Sequence, residues 1–312
     1  MTNSIFEASQ KPFLVVLRAG ARSLHPDWLD LPYAERSWDL LISYFDEAAF
    51  AAHEPQPGVE AVLVKGGKWN GIHKTLADLP EHRRYSHVWL PDDDIATNGN
   101  AINRMFEEAV TFGLAVCQPA LTPQSYFSHF LFMQCDTFRL RYSNYVEIMV
   151  PCLRADLLAQ ALPLFENTMS GYGLDYLWCR MAGAGPYKAA ILDSVAVHHT
   201  RPVGSSLRAK IAETTGGTSE DEERALVAHF GEVPRPVPLA YAGITNDGEE
   251  VAGRIATAVR MSSTYWANAA AFRDPALARR KTVQILKRQL IKSLTLAPLP
   301  RPTQRPRQDA AA

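Results

Sequence analysis

Before Gly204, short apolar runs rich in β-forming residues alternate with stretches of helical periodicity, and this alternation constrains the fold more than any other feature. It is typical of an α/β sheet flanked by helices, because strands covered on both faces read as near-continuous apolar runs. The predicted strands are Phe13–Leu17, Trp38–Phe45, Glu60–Val64, Ser86–Leu90, Leu114–Gln118, Tyr145–Val150 and Ala189–Val197. The predicted helices are Gly67–Leu79, Ile102–Phe112, Ala155–Asn167 and Leu174–Ala182.

After Gly204 the pattern becomes helical. Ser219 and Glu222 form a predicted capping box that opens a helix ending at Phe230. A stiff proline-rich connector follows at 234–238. Further helices are predicted at Gly248–Phe272 and Pro275–Leu296. The predicted parts are an α/β domain at 1–204, a helical C-terminal extension at 205–296 and a disordered, basic, proline-rich tail at 297–312.

Composition excludes several classes of protein. With 47% hydrophobic and 21% charged residues, the chain has the balance of a globular protein rather than a disordered one. Its four cysteines include no CxxC pair, which disfavours a zinc knuckle or a disulfide scaffold and predicts free thiols in a reducing compartment. Met1–Gln10 lacks a basic segment followed by an apolar one, and no uncharged apolar run approaches about 18 residues, so we predict a cytoplasmic protein.

The C-terminal end is strongly basic. Ala276–Gln308 holds nine of the 32 lysines and arginines and none of the 33 acids. Within 277–296, apolar residues recur among the cations, which predicts a basic amphipathic helix. Such a helix either contacts an anionic membrane face peripherally or packs on the domain with its basic side in solvent. The apolar positions are Leu277, Ile285, Leu286, Leu290, Ile291 and Leu294.

Three consecutive acids, Asp92 to Asp94, follow the predicted strand Ser86–Leu90. Ligands bind at the carboxyl ends of strands in open α/β sheets. In an extended backbone Asp92 and Asp94 point to the same side and Asp93 points away. Two adjacent carboxylates repel each other, and a hard cation such as Mg²⁺ or Mn²⁺ relieves the repulsion. The alternative is a solvated acidic turn or a helix N-cap.

Other polar residues follow strand ends. His199, preceded by His198, is a candidate manganese ligand, and Arg201 could offer a planar fork to a phosphate. Lys68, after a glycine pair, is a candidate phosphate contact, although the loop is not a Walker A motif. Asp175 opens an aromatic-rich helix and could accept a proton or bind a sugar hydroxyl. Each also has a structural alternative: histidines flanking a strand, a plain turn, and a helix-start aspartate.

Glu147 lies inside an apolar run and therefore needs a partner or a ligand. It also belongs to one of five motifs that occur in a fixed order. The motifs are Trp-Leu-Pro-Asp-Asp-Asp-Ile at 89–95, Gln-Pro-Ala-Leu at 118–121, Asn-Tyr-Val-Glu at 144–147, Gly-Leu-Asp-Tyr-Leu-Trp at 173–178 and His-Thr-Arg-Pro-Val-Gly at 199–204. This set resembles an uncharacterised glycosyltransferase-like family of bacteria and plants, long filed under a domain of unknown function. The resemblance spans about residues 11–205 and leaves the C-terminal hundred residues uncovered.

That family is in turn similar to GT-A nucleotide-diphospho-sugar transferases. The similarity implies a Rossmann-type single mixed sheet flanked by helices, with a DxD metal motif. It implies that Asp94 and His199 bind the metal and that Asp92 lies near the ribose or the metal. Asp175 is implied to be the acid on the acceptor side. Because the chemistry of the family is largely unassigned, the reaction type follows by analogy of fold.

Together these features predict a metal-dependent glycosyltransferase that moves a sugar from a nucleotide-diphosphate donor to the hydroxyl of a carbohydrate or lipid-linked acceptor. Manganese or magnesium is the expected cofactor, and cell-surface polysaccharide or glycolipid synthesis is the expected process. No nucleic-acid partner is predicted. Two alternatives stay open: a metal-dependent phosphoryl or nucleotidyl transferase, and a non-catalytic protein that binds nucleotide sugars or carbohydrates.

Overall fold

Strands and helices alternate along most of the structure, a computed structural model that describes residues 9–183, 185–204, 211–214, 216–231 and 233–300. The strands are β1 (Phe13–Ala19), β2 (Trp38–Tyr44), β3 (Val59–Leu63), β4 (His87–Trp89), β5 (Ile95–Ala96), β6 (Val116–Leu121), β7 (Phe138–Ser143), β8 (Cys152–Arg154), β9 (Ala189–His199), β10 (Ala240–Thr245) and β11 (Glu250–Val251). The α-helices are α1 (Glu47–Ala51), α2 (Lys68–Ala77), α3 (Gly99–Thr111), α4 (Ala155–Ala161), α5 (Leu174–Met181), α6 (Ser219–Ala228), α7 (Arg254–Ala267) and α8 (Pro275–Ile291). Short 3-10 helices lie at His25–Asp30, Pro80–Arg84, Phe130–Phe132, Leu162–Phe165 and Ala269–Ala271.

The strands form one mixed sheet in the order β11-β10-β7-β9-β6-β8-β4-β1-β2-β3, and β5 pairs with β9 outside this path. β1 is parallel to β2 and β4, β2 is parallel to β3, and β6 is parallel to β9. β8 runs antiparallel between β4 and β6. The carboxyl ends of β1, β3, β4, β6 and β9 therefore meet at one edge of the sheet, which is where open α/β sheets bind ligands.

The predicted single mixed sheet flanked by helices is confirmed, and β1 and β2 are buried along their whole length, as their apolar runs indicated. The predicted strand Tyr145–Val150 is wrong, because this segment is an irregular loop. Its N–H groups bond to side chains and to the carbonyl oxygen of Asp175 on α5, rather than to a neighbouring strand. Tyr145 donates to the hydroxyl of Ser143, and the N–H of Glu147 donates to the side-chain oxygen of Gln118 at 2.6 Å.

Five strands had no counterpart among the predicted strands, namely the two-residue β5 and the strands β7, β8, β10 and β11. β7 and β10 pair with each other in antiparallel register, and β11 extends this edge. β8 has only three residues and is placed by its two neighbours rather than by its own pattern. Because β10 and β11 lie within 205–296, the segment predicted as a helical extension also completes the sheet. The division of the chain into domains at residue 204 stays a prediction.

α6 and α8 begin close to their predicted positions, whereas α7 begins six residues after the predicted Gly248, because β11 occupies 250–251. The capping box of α6 is formed by Thr218 and Asp221, one residue before the predicted pair, because the Thr218 hydroxyl accepts the N–H of Asp221. In the predicted tail, the carbonyl oxygens of Ala297 and Pro298 accept hydrogen bonds from Arg180, and 301–312 lie outside the described residues. Among the helices that the structure describes, none combines the length and apolar character needed to cross a bilayer.

Candidate functional site

A pairing between β5 and the end of β9 brings Asp94 beside His199. β5 follows the acidic triplet directly, and its Ile95 pairs with His199 in antiparallel register. Thr200 then donates from its N–H and its hydroxyl to the carbonyl oxygen of Asp94, at 3.1 and 2.9 Å. As a result, Nε2 of His199 lies 3.3 Å from Oδ2 of Asp94. The local pairing of two strand ends thus assembles residues that are far apart in the sequence.

Asp92, Asp94 and His199 form a candidate metal site, in which one ligand atom of each lies within 4.8 Å of the other two. Nδ1 of His199 is 3.0 Å from the carbonyl oxygen of Tyr126, which assigns a proton to Nδ1 and leaves Nε2 available to bind a metal. Two carboxylates and an oriented imidazole suit Mn²⁺ or Mg²⁺. The residues present therefore fit the metal that the sequence analysis predicted.

The charges of this site are coupled. Burial is the largest single influence on the pKa of His199 and acts to lower it, but the hydrogen bond and charge of Asp94, together with the carbonyl of Tyr126, outweigh burial and raise that pKa above its ordinary value. Burial is likewise the largest influence on Asp94 and acts to raise its pKa, but the hydrogen bond and charge of His199, together with the charge of Arg201, outweigh burial, so the pKa of Asp94 is lowered. Each group thus favours the charged form of the other, and a metal bound at Nε2 would take the place of a proton.

Lys68 is the counter-ion of Asp92. Its ammonium lies 2.6 Å from Oδ1 of Asp92 and also donates to the carbonyl oxygens of Ile148 and Met149, at 2.7 and 3.0 Å. Burial lowers the pKa of Lys68 and raises that of Asp92, while the pair opposes both shifts. The three donors of the ammonium are therefore all in use, so the lysine predicted to contact phosphate holds a metal-site carboxylate in this structure.

Asp93 joins the loops that follow β1 and β9. Its Oδ2 accepts the N–H of Gly20 at 3.0 Å, and its Oδ1 lies 3.1 Å from the guanidinium of Arg201. Arg201 also donates to the carbonyl oxygen of Arg22. Asp93 lies outside the metal cluster, as the alternation of side chains predicted, but it fixes the direction of Arg201.

Most of these side chains line one cavity of about 370 Å³ at the carboxyl edge of the sheet. That volume is in the range of small-molecule sites. Four of its lining residues are cations and three are the acids of the triplet. The lining residues are Arg18, Arg22, Phe45, Gly66, Gly67, Lys68, Trp69, Asp92, Asp93, Asp94, Ile148, Met169, Ser170, Arg201 and Pro202.

Arg18, on β1, is a cavity residue that the sequence reasoning missed. Its side chain donates to the carbonyl oxygen and the hydroxyl of Ser43, at 3.2 and 2.7 Å, and to the carbonyl oxygen of Gly66 at 2.9 Å. Burial lowers the pKa of Arg18 to about 10, which still leaves it charged near neutral pH. An arginine at the end of an apolar strand was the signal that could have identified it.

A second missed contributor is Glu222, which comes from α6. Its carboxylate accepts the N–H and the hydroxyl of Ser170, at 2.9 and 2.5 Å, and the hydroxyl of Thr168 at 3.1 Å. The loop that carries Ser170 passes over Trp69, and Gly171 has a positive φ of 72° there. A Cβ at Gly171 would lie 2.1 Å from Nε1 of Trp69, so only glycine allows this approach. The C-terminal segment therefore shapes one wall of the cavity.

Asp175 lies apart from this cavity, since it is not among the lining residues that the structure describes. It is buried on α5, and its Oδ2 accepts a hydrogen bond from the hydroxyl of Tyr145. Burial raises the pKa of Asp175 to about 7, and its other oxygen has no hydrogen-bond partner among the described residues. A carboxyl group with this pKa can exchange a proton near neutral pH. Its role in catalysis stays a prediction.

Glu147 and His198 also lie outside the metal cluster. Glu147 is buried, and burial raises its pKa to about 7 despite a hydrogen bond with Ser128. Glu147 interacts electrostatically with both His199 and Asp92, although it neither lines the cavity nor belongs to the metal cluster. His198 instead places Nδ1 2.9 Å from the hydroxyl of Thr122. The two adjacent histidines thus point to different partners.

Comparison with known proteins identifies no family. No protein-family model matches the chain, and no curated protein matches it. Similar solved structures include Staphylococcus aureus TarS 1–349 in complex with UDP-GlcNAc, TarS 1–349 without a stated ligand, and TarS 1–349 in complex with UDP. Each is 10% identical and is matched over 89% of this chain, with 90%, 89% and 89% of the TarS chain covered and TM-scores of 0.43, 0.41 and 0.37. Overlaps of this size do not establish a shared fold or activity.

Proposed function

We propose that the protein is a metal-dependent glycosyltransferase that moves a sugar from a nucleotide-diphosphate donor to an acceptor hydroxyl. The observation that carries the proposal is the meeting of Asp92, Asp94 and His199 within 4.8 Å, beside a cavity with four cationic side chains. Divalent metal sites that use few protein carboxylates commonly complete their coordination with substrate phosphates. The family resemblance of the five sequence motifs supports the same reaction by analogy.

The start of α2 is the proposed place for the diphosphate. α2 begins after Gly67 without a side-chain cap, and its first residues line the cavity. Uncapped N–H groups at a helix N-terminus favour phosphate oxygens. Arg22 and Arg201 line the same cavity from the loops after β1 and β9, and Arg18 lines it from β1 itself. In this proposal Lys68 neutralises Asp92. It can contact a phosphate only if it gives up one of the three hydrogen bonds that its ammonium now donates.

The proposed roles follow from charge. When bound, the metal supplies positive charge to the diphosphate that leaves the sugar. Asp94 and His199 would hold it, and Asp92 would either join them or contact the ribose. Arg201 is already oriented by Asp93, so it can bind a phosphate oxygen without reorganisation. Asp175 keeps its proposed place as the acid on the acceptor side.

The proposed acceptor is a carbohydrate or lipid-linked hydroxyl, and the proposed process is cell-surface polysaccharide or glycolipid synthesis. A cytoplasmic protein that contacts the membrane peripherally through 277–296 would reach such an acceptor. Supporting this, α8 carries cations without a single acid. Anionic lipid headgroups attract such a segment.

The test is a thermal-shift and product-release screen of nucleotide sugars, including UDP-, GDP- and ADP-linked donors, with and without MnCl₂. We expect metal-dependent stabilisation by one donor class and release of the nucleoside diphosphate. Asp94→Asn should abolish both effects, whereas Glu107→Gln, which neutralises an exposed acid on α3, should change neither. No metal-dependent stabilisation by any donor would overturn the proposal.

Two rivals give different outcomes in the same screen. Glycosyl transfer breaks the bond between the sugar carbon and the diphosphate oxygen, whereas a phosphoryl or nucleotidyl transferase would break a phosphorus–oxygen bond of the same donor and release a nucleoside monophosphate or a sugar phosphate. A binding protein would show metal-dependent affinity for the nucleotide sugar but no released diphosphate with any acceptor. The identity of the released nucleotide therefore separates all three functions.

A further inference from the structure

The outward face of α7 is apolar and exposed. Ile255, Val259 and Trp266 are 63%, 57% and 54% exposed. Positions four and eleven residues after Ile255 fall on the same side of a helix, so the three side chains form one stripe. The other exposed residues of α7 are small, and the stripe contains no charge. They are Ala256, Ser263 and Ala267. A helix face in water ordinarily carries charged residues, so this stripe needs a partner.

α8, which packs against α7, also carries exposed apolar side chains. α7 and α8 pack together as an antiparallel hairpin, and Arg254 at the start of α7 donates to the carbonyl oxygen of Lys292 just after α8. α8 adds Val283, Leu290 and Ile291, which are 43%, 47% and 76% exposed. Six of the ten exposed large hydrophobic residues in the described part of the chain thus belong to this hairpin. We call the exposed side of α7 and α8 the hairpin face.

The hairpin is also cationic. From Arg254 to Lys292 there are nine lysines and arginines and one acid, Asp274. The carboxylate of Asp274 is already used, because it caps α8 by accepting the N–H of Leu277 at 2.8 Å. Arg260 is paired with Glu249 at 2.7 Å, whereas the cations of α8 have no acid on their own helix. Apolar side chains and flanking cations are the two requirements of a helix that lies in the interface of an anionic membrane.

We infer that the hairpin face docks on an anionic membrane surface, with the α7 stripe entering the interface. A second copy of this chain would bring the same positive charge to the contact, and 301–312, with three arginines and one acid, would also be repelled. The inference moves the predicted contact from 277–296 toward α7, because Ile285 of that segment is buried and Leu277 is half-buried against the domain. It does not depend on the proposed sugar transfer.

Trp266 provides the experiment with its own probe. It is the exposed member of six tryptophans, since the other five are buried. The full chain is mixed with vesicles of phosphatidylcholine, with or without phosphatidylglycerol, and its fluorescence and co-sedimentation are followed. We expect co-sedimentation only with phosphatidylglycerol, a blue shift of the emission, and quenching by brominated lipid. Trp266→Phe should remove the spectral change and retain most of the co-sedimentation. The remaining tryptophans are Trp28, Trp38, Trp69, Trp89 and Trp178.

Matched variants test separately the contributions of the apolar side chains and of the cations to membrane binding. Ile255→Ser/Val259→Ser should weaken binding at least about tenfold, because it removes two side chains from the interface. The control is Leu63→Ser/Val110→Ser, which removes two exposed hydrophobic residues elsewhere. Arg279→Gln/Arg280→Gln should weaken binding by roughly 20-fold at low salt. Its control is Lys74→Gln/Arg83→Gln, which neutralises two exposed cations outside the hairpin.

Asp94→Asn separates this inference from the proposed function. It should leave vesicle binding unchanged, because Asp94 lies at the sheet edge and not on the hairpin face. Binding lost equally in the test and control pairs, binding to pure phosphatidylcholine, or a protein dimer that forms through Trp266 without lipid would each overturn the membrane inference. None of these results bears on nucleotide-sugar turnover, so the two ideas fail independently.

Discussion

The ammonium of Lys68 lies 2.6 Å from the carboxylate of Asp92, which makes one lysine the counter-ion of a candidate metal ligand. Its replacement by methionine leaves Asp92 without its counter-ion, and we expect the metal-free protein to lose about 1–3 kcal/mol of stability, less than for a fully buried pair because Asp92 is partly exposed. MnCl₂ should restore much of this loss. Urea unfolding with and without the metal measures both effects.

The control for this prediction is Lys65→Met. Lys65 pairs with Glu47 on the surface, where both side chains are well exposed, so its loss should cost less than about 1 kcal/mol with or without metal. If Lys68→Met and Lys65→Met lose the same stability and respond equally to MnCl₂, Lys68 is not the counter-ion of a metal site.

The pair of His199 and Asp94 predicts a pH window. The pKa of His199 is raised from 6.5, so its contribution to stability is present below 6.5 and is lost as pH rises through the raised value. The pKa of Asp94 is lowered from 3.8, so its contribution is present above 3.8 and is lost as pH falls through the lowered value. Without metal, Asp94→Asn should therefore destabilise the protein most at about pH 5 and little at about pH 9.

Manganese binding should show the opposite trend with pH. A protonated His199 cannot bind a metal through Nε2, so affinity should rise with pH up to the pKa of His199 and then level off. Calorimetric titration with MnCl₂ over this range tests the prediction. Affinity that is independent of pH would exclude His199 as a ligand.

The sequence predicted the parts of the fold that depend on local pattern. Strands covered on both faces are visible as apolar runs, and the two-residue period placed Asp92 and Asp94 on one side. The contacts that complete the site depend on tertiary structure. Lys68 meets Asp92 only because β3 and β4 end at the same edge. Glu222 looked like a local capping residue, and its contact with Ser170 cannot be read from either segment alone.

The missed strands have a similar explanation. β8 is too short to show a period, and β10 has two alanines and a glycine, which are depleted in strands, among its six residues. Both exist because neighbouring strands offer them hydrogen bonds. Conversely, the apolar run from Tyr145 to Val150 had a strong strand pattern, and buried partners such as Gln118 overrode it.

Gly171 is expected to be irreplaceable for a steric reason. Alanine there would place its Cβ 2.1 Å from Nε1 of Trp69 and would also hold a positive φ of 72°. Gly113 provides the matched control, because its φ is 58° and a Cβ would meet nothing within 4 Å. Gly113→Ala should cost about 1 kcal/mol, and Gly171→Ala should cost about 1–3 kcal/mol more. Because the same loop holds Ser170 in the cavity wall, only Gly171→Ala should also weaken nucleotide-sugar binding.

Chemical unfolding of the two alanine variants compares the stabilities, and thermal shift with the donor compares binding. Equal losses of stability in the two variants would show that the loop moves away from Trp69 without cost. The steric account of this wall of the cavity would then be wrong.

Glu147→Gln is expected to stabilise the protein at high pH. Burial raises the pKa of Glu147 from 4.5 to about 7, so the native state keeps a proton that the unfolded state loses. As far as Glu147 is concerned, the free energy of unfolding of the wild type is therefore highest below pH 4.5, falls as the pH rises to about 7, and is constant above that. Glutamine is neutral throughout, so its advantage should be near zero at about pH 4 and reach at most about 3 kcal/mol above pH 7. Urea unfolding at several pH values measures it, with Glu107→Gln as the exposed control.

The same variant reports on the metal site. The charge of Glu147 acts on both His199 and Asp92, so a divalent cation bound there would stabilise the ionised carboxylate and lower its pKa. In saturating MnCl₂ the advantage of glutamine above pH 7 should therefore shrink. An advantage that is independent of both pH and metal would mean that Glu147 has the same pKa in the native and unfolded states, and that its burial beside the site does not penalise its charge.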